Sequence, residues 1–444
     1  MVSGGRRWRA ARLVPAALVA WATALALVNA PALASMVVVA LAAAGVGGGV
    51  VLGAILRPRS STVTSQAGGL YRRAPTAVGI LSVVVVALAV GAAVGIHVAL
   101  AQPGRDAALE AFGSGSRVVE VEAIVTGKVE PRAGGQRAFD ASIRLIGSDG
   151  GALSGWADAA VRVPGEQVSS GLDVGARIRV SGTSRPAYPG DRAVVQILAH
   201  ETEIVEPPTG ILRIAADLRQ SLVRAAGGLP GGGGELVPGL AVGDTSAVSS
   251  QTDADMKASS LSHLTAVSGA NCALVVGIAF VAAAGLGAGR RVRVIAGLGA
   301  LVGFVILVTP EPSVVRAAMM AGIAMLAVLL GRAGAGVALL SAAVVLLLLF
   351  DPWLAGSLGF ALSVAATAAL LTLARPLASG LTRVMPAPLA LALSVPLAAQ
   401  LACGPLLVLI DPSVPLWGVP ANLLAAPAAP AATVLGLAAC LAAP

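Results

Sequence analysis

The 444 residues are 57% hydrophobic and only 12% charged, about half the charged share of an ordinary soluble domain. Burying that much apolar surface within one soluble chain is implausible, so the composition excludes a soluble globular protein and predicts a polytopic membrane protein. The net charge of +8 is not by itself a nucleic-acid signal, because the arginines cluster in short loops beside apolar runs, as in the positive-inside pattern.

The N-terminal stretch RRWRAARL leads into an apolar run from about Leu13 to Val28, with Ala32-Leu33-Ala34 after it. This is either a cleaved signal peptide of the A-x-A type or an uncleaved first helix. A second span, about Ala34 to Leu56, follows at once and favours the uncleaved helix. Arg57, Arg59, Arg72 and Arg73 then mark a cytoplasmic loop, and a third span runs from about Thr76 to Ala101. Residues 1–101 are thus read as three transmembrane helices, with His97 a packed or interfacial side chain rather than a ligand.

Between residues 102 and 208 the character changes to short β-like runs: Val118 to Val129, Phe139 to Ile146, Ala159 to Val163, Ala176 to Ser181 and Val194 to Val205. Glycine-rich and Asp-Gly turns separate them. Five strands in about a hundred residues suit a small closed barrel, of which the OB-fold is one form. The segment holds 11 Lys and Arg against 14 Asp and Glu, whereas a platform for single strands combines a positive groove with stacking aromatics. Phe112, Phe139, Trp156 and Tyr188 are therefore read as core residues. Arg177, Arg179, Arg185 and Arg192 are the candidate local patch for nucleic acid.

Residues 209–262 are read as amphipathic or interfacial helices that brace the outer membrane face. Ile211 to Ala226 has apolar residues at helical spacing with Arg213, Asp217, Arg219 and Arg224 between them. Leu229 to Gly234 is a glycine-rich break without the lysine and Ser/Thr of a phosphate loop. A polar helix is expected from about Ser250 to Ser260.

Residues 263–444 hold about seven apolar spans, near 264–288, 294–309, 314–330, 335–350, 356–373, 387–410 and 418–440. Alternate loops carry Arg290, Arg291 and Arg293, then Arg332, then Arg375 and Arg383. Opposite loops carry Glu311, Asp351 and Asp411, so a single orientation puts the basic loops and the N-terminus inside and the β domain outside. Arg316 lies about a turn inside its span, where it either snorkels to the surface or faces a polar interior. Gln400 and Asn422 are uncharged and can bridge helices. Cys272, Cys403 and Cys440 all fall in apolar segments and read as small buried hydrophobes.

The stretch most loaded with chemistry is SHLTAVSGANCALVVG, from Ser262 to Gly277, where polar side chains stand at the mouth of an apolar run. Ser268-Gly269 is a weak point for a helix, since glycine relaxes the backbone and serine competes for its hydrogen bonds. The segment resembles the His-Leu-x-Ala-x-Ser-Gly signature of the ComEC/Rec2 family of competence proteins. Further resemblance lies in Pro312 to Ala317 (PSVVRA), Gly359 to Ser363 (GFALS), Gln400 to Pro405 (QLACGP) and Pro420 to Leu424 (PANLL). The family often has a second histidine where this chain has Asn271.

The resemblance implies a polytopic α-helical membrane protein with an inserted extracytoplasmic small β-barrel, OB-like, domain. It implies an inner-membrane channel for single-stranded DNA in natural transformation. His263, Ser268, Gly269 and Asn271 would shape the entrance, Arg316 would offer a charge to passing phosphates, and Asp244 would belong to a Gly-Asp element ahead of the motif. Its own neighbours favour reading Asp244 as a helix N-cap or turn residue. The implied partners are single-stranded DNA, the bilayer, an external DNA receptor and a cytoplasmic helicase-type motor, and a homodimer is left open. Many family members have a C-terminal metallo-β-lactamase-like domain, which is expected to be lacking here. The three histidines, His97, His200 and His263, are widely separated, so no metal, other cofactor or enzymatic activity is expected. The alternatives are a small-solute permease and an intramembrane serine protease using His263 and Ser268.

Overall fold

The computed structural model describes residues 12–56, 74–112, 117–132, 135–144, 156–165, 171–230, 232–259, 261–265, 269–309, 311–330, 336–408, 418–425 and 427–442. The chain is mostly helical with one small barrel, and its contacts divide it into two compact units. The first comprises residues 1–103, 189–191 and 334–357, and the second holds the rest.

In the first unit, α1 (Val14–Asn29), α2 (Ala34–Leu56), the greater part of α3 (Ala74–Phe112) and α11 (Gly336–Phe350) are apolar helices. A 3-10 turn, Pro352–Gly356, follows α11 and is capped by Asp351, whose carboxylate accepts the Trp353 N–H at 3.1 Å. The Trp21 indole donates to the Ala355 carbonyl at 3.0 Å, so α1 is tied to this turn by a polar handle on an apolar body. His97 places Nδ1 2.8 Å from the Leu349 carbonyl and meets Trp353 edge-on with ring centroids 5.9 Å apart. It is a packed histidine. α3 runs a further three turns past the expected end near Ala101, because the residues after Pro103 (GRDAALEAF) are mostly good helix formers.

In the second unit the β domain is a closed barrel. Its strands are β1 (Arg117–Val125), β2 (Glu130–Pro131), β3 (Gln136–Arg144), β4 (Trp156–Pro164), β5 (Arg177–Pro186) and β6 (Val195–Glu206). The order β1-β5-β6-β4-β3 closes through a β1–β3 pairing, and β2 is a two-residue appendage on β3. The β4–β6 contact is parallel and the others are antiparallel, which is the Greek-key arrangement of an OB-like barrel. Alternation builds the core: Val119, Val121, Ala123 and Val125 point in from β1, and Ile178 and Val180 from β5. Ala108 and Phe112 from the last turns of α3 join them. Gly182 sits at a register shift in β5, where a Cβ would lie 2.3 Å from the Leu198 carbonyl oxygen, so only glycine fits the bulge.

The helices of this unit are α4 (Gly210–Ala226), α5 (Gly233–Val242), α6 (Ser250–Ala258), α7 (Ser262–Thr265), α8 (Gly269–Gly285), α9 (Arg290–Val308) and α10 (Pro312–Leu329). After the segment given to the first unit come α12 (Leu358–Thr372), α13 (Ala374–Leu381), α14 (Ala387–Val408), α15 (Gly418–Ala425) and α16 (Ala428–Ala442). α5 begins within the stretch Leu229 to Gly234 that reads as a glycine-rich break, and it holds Pro238 internally. Gly232 and Gly243, both left-handed, bound it.

Among the described residues, four helices are long and apolar enough to cross a membrane, or five if α12 and α13, bent by 50°, count as one span. The sequence reading has about ten. The difference lies in α1, α8, α10 (Ser313–Leu329 without its leading proline), α11 and α16, which are apolar but no longer than 17 residues. At 1.5 Å per residue, a 17-residue helix spans about 25 Å against a hydrocarbon core of about 30 Å. The expected single span at 418–440 is two helices, α15 and α16.

Candidate functional site

The signature segment is split. α7 ends at Thr265 and α8 starts at Gly269, while Ser268 and the side chain of His263 lie outside the described residues. A Cβ at Gly269 would stand 3.9 Å from the Ala317 Cβ, so the first turn of α8 rests on α10 beside Arg316. Arg316 is only 6% exposed, and its buried Nε has no hydrogen-bond partner. Its neighbour two residues back, Val314, is fully buried against Cys272, Val276 and Phe304 in an apolar core. The Arg316 Nε–H is thus a buried donor left without a partner among the described residues.

Asn271, one turn into α8, points elsewhere. Its amide donates to the Leu240 carbonyl at 3.2 Å, and the Thr433 hydroxyl of α16 donates to the same oxygen at 3.2 Å. Leu240 lies in the last turn of α5, where carbonyls lack intrahelical partners, so two other helices satisfy it. The same helices meet closely at Gly436, where a Cβ would come within 2.7 Å of the Ala241 Cβ. Asn271 therefore locks α5, α8 and α16 together.

Immediately beyond, Asp244 donates its backbone N–H to the Pro238 carbonyl, and its carboxylate accepts the Ser246 N–H at 2.9 Å. That is an Asx turn closing α5. Farther along, Glu235 accepts from the Thr252 hydroxyl at 2.7 Å and the Ser249 N–H at 3.1 Å, while Ser249 caps α6. These hydrogen bonds, led by that from Thr252, hold the Glu235 carboxyl below its ordinary value.

Four charged side chains, none of them a candidate site residue from the sequence, join the barrel to the helices. Lys128, in the loop after β1, reaches Glu311 at 3.0 Å and also donates to the Gly243 carbonyl. Glu311 is the N-cap residue of α10, where a negative charge suits the helix dipole. Arg219 of α4, 7% exposed, donates to the Asp173 carboxylate at 2.7 Å and to the Leu307 carbonyl near the end of α9 at 2.6 Å. Both cations thus sit at carbonyl ends of helices. Around them opens a cleft of about 660 Å³, also lined by Arg137, Asp244 and Thr309. Thr309 has φ +81°, an outlier for a β-branched residue, and it precedes Pro310, which favours its extended ψ of 133°.

On the barrel, the candidate arginines are mostly committed. Arg179 faces Glu122 at 3.4 Å, Glu203 at 3.3 Å and Glu120 at 3.8 Å, and Arg177 meets Glu206 at 3.3 Å. Arg192 pairs with Asp158 at 3.1 Å. Arg185 is exposed at the end of β5. Two of the four aromatics read as core are corrected by the structure: Phe112 and Phe139 are buried, but Trp156 is 55% exposed and Tyr188 75% exposed. Trp156 pairs with Arg144 across β3 and β4 and shares the outward parity of Asp158 and Arg162. That alternation was the overlooked signal. Gln400 is half-buried in α14, and Asn422 donates to the Gly418 carbonyl of its own helix at 2.8 Å. No group of three or more His, Cys, Asp or Glu among the described residues is placed to hold a metal ion.

Residues 240–444 match the family described as Competence protein, and this stretch is a competence domain of the ComEC/Rec2 type. The match begins at Leu240, whose carbonyl Asn271 and Thr433 share. That family is associated with DNA uptake in transformation. None of the curated proteins and none of the solved structures matches the chain.

Proposed function

We propose that this chain, whose residues 240–444 form a ComEC/Rec2-type competence domain, conducts single-stranded DNA across the bacterial inner membrane during natural transformation. The reading puts the barrel outside and the N-terminus inside, with a DNA receptor delivering the strand and a cytoplasmic helicase-type motor drawing it in. The observation that carries it is Arg316, a buried cation with an unpaired Nε beside the first turn of α8. An arginine in an apolar bundle is expensive unless an anion visits it, and a phosphate backbone supplies anions at regular spacing. Such attraction is sequence-independent, so no base preference is expected. In this reading His263 and Ser268 shape the entrance, while Asn271 holds the supporting helices in place.

On the barrel the strand meets the β3–β4 face rather than the β1–β5–β6 face. Arg177 and Arg179 are already neutralised by glutamates, whereas Trp156 offers an exposed ring opposite Arg144 on the β3–β4 face. Stacking of one base on one ring is worth roughly 1–3 kcal/mol. Trp156→Ala should therefore weaken binding of an oligonucleotide to the purified chain, with Arg179→Ala as an unaffected control.

The test of the main reading is uptake of labelled DNA into the cytoplasm of cells lacking their own channel. The parent chain should restore uptake, and Arg316→Ala and His263→Ala, verified to reach the membrane, should lose it. Undiminished uptake by Arg316→Ala would overturn the proposal.

A further inference from the structure

A second cavity, of about 320 Å³, lies under α4, on the side away from the polar cleft. Ile214 and Leu218 of α4 form its roof, Gly303 and Phe304 of α9 its floor, and Leu437 and Leu441 of α16 one wall. Every side chain lining it is apolar. Two features keep it open. Gly303 leaves it unfilled, since a Cβ there would meet nothing within 4 Å. Arg219, one residue past Leu218, is held by both Asp173 and the Leu307 carbonyl, so α4 is pinned and cannot settle onto α9.

We propose that this groove seats one acyl chain of a membrane phospholipid, which fills the space between α4, α9 and α16. The inference rests on the membrane reading above. Small-molecule sites orient polar ligands with a few well-placed polar groups, and this lining offers none, so its occupant is hydrocarbon. A helix from a second copy or another protein does not fit. One turn, about 10 Å across and 5.4 Å long, displaces on the order of 400 Å³ and exceeds the groove. The groove is also continuous with outward-facing apolar side chains, Ile211 and Ile214 on α4, Val302 on α9 and Leu441 on α16, each at least 60% exposed. In a bilayer those side chains face lipid tails, so a chain enters sideways with no polar barrier. α4 is strongly amphipathic, with Arg213 and Asp217 on its other face, as an interfacial helix resting on lipid should be.

The experiment reconstitutes the full chain into nanodiscs doped with a phosphatidylcholine that carries a diazirine in its acyl chain. After illumination, labelled residues are mapped by peptide mass spectrometry. α2 serves as the reference for ordinary surrounding lipid, since Val39 and Val46 are well exposed there. The parent should label at Ile214, Leu218 and Leu437 several-fold above α2, and Gly303→Phe, which fills the groove, should bring them down to the α2 level. Gly303→Leu serves the same purpose if the larger ring impairs insertion. Groove labelling no higher than α2, or undiminished in an inserted filled variant, would overturn the acyl seat while leaving the membrane reading intact. An unlabelled α2 would overturn the membrane reading and the seat with it. Groove residues shielded by a second copy or another protein, seen as a cross-linked adduct, would overturn the lipid as occupant.

Discussion

Arg179 on the barrel and Arg316 in α10 carry the same group in opposite circumstances. Arg179 is 42% exposed and has three glutamates within 4 Å. Arg316 is buried, and its Nε has no hydrogen-bond partner among the described residues. Exposed ion pairs in water contribute little, whereas a buried donor without a partner is costly to keep. A count of basic residues favours the barrel, but unmet electrostatic demand favours α10. The charge that matters for an anion is the one the protein has not already neutralised.

The sharpest way to break this comparison is to remove both charges in turn. Arg316→Leu should abolish uptake while raising thermal stability in detergent, by roughly 1–3 kcal/mol if the undischarged donor is the cost it resembles. For a residue kept for packing, stability and function fall together on substitution, so a gain in stability with a loss of uptake is diagnostic. Arg219→Ala, read by the same melts, should destabilise by about 3 kcal/mol, because it strands Asp173 and uncaps the Leu307 carbonyl. A double-mutant cycle on Lys128→Met and Glu311→Gln should show coupling of about 1–2 kcal/mol, since the two atoms sit 3.0 Å apart and largely shielded. Arg179→Ala should change stability by less than about 1 kcal/mol and leave uptake intact.

The smallest effect is a pH dependence. Glu235 is held below its ordinary value of 4.5 by hydrogen bonds to its charged form. A depressed carboxyl stabilises the fold above the unfolded value and loses that contribution as pH falls through the folded one. The melting difference between the parent and Glu235→Gln should therefore be full at pH 7 and shrink as the solution is acidified below 4.5.

Local pattern made much of this molecule readable. Alternation placed all five barrel strands within a few residues, and apolar runs placed α1, α2, α9 and α14. Arg316 stood out because a charge inside an apolar run is anomalous on its face. Arg219, Asp173, Lys128 and Glu311 did not, because each has ordinary neighbours in sequence. Their meaning comes from pairings 46 residues apart or more, formed only when the barrel docks on the helix ends. Trp156 is legible in principle, since it keeps the outward parity of Asp158, yet the excess of acids over bases in the segment argues against a stacking platform and so for the core. α5 was hidden by its own composition, as glycine and proline lower helix propensity where tertiary packing against α16 restores it.

The closure of the barrel through β1 and β3 also limits how anything can bind it. An open sheet offers a row of free backbone N–H and C=O groups to which a passing extended peptide adds as another strand. Here the ladder returns on itself through short pairings, three residues between β1 and β3 and four between β4 and β6, so the start of β1 and the end of β6 keep a free edge. A partner that adds a strand to this barrel is therefore confined to those ends, and any wider contact rests on side chains of its faces or loops.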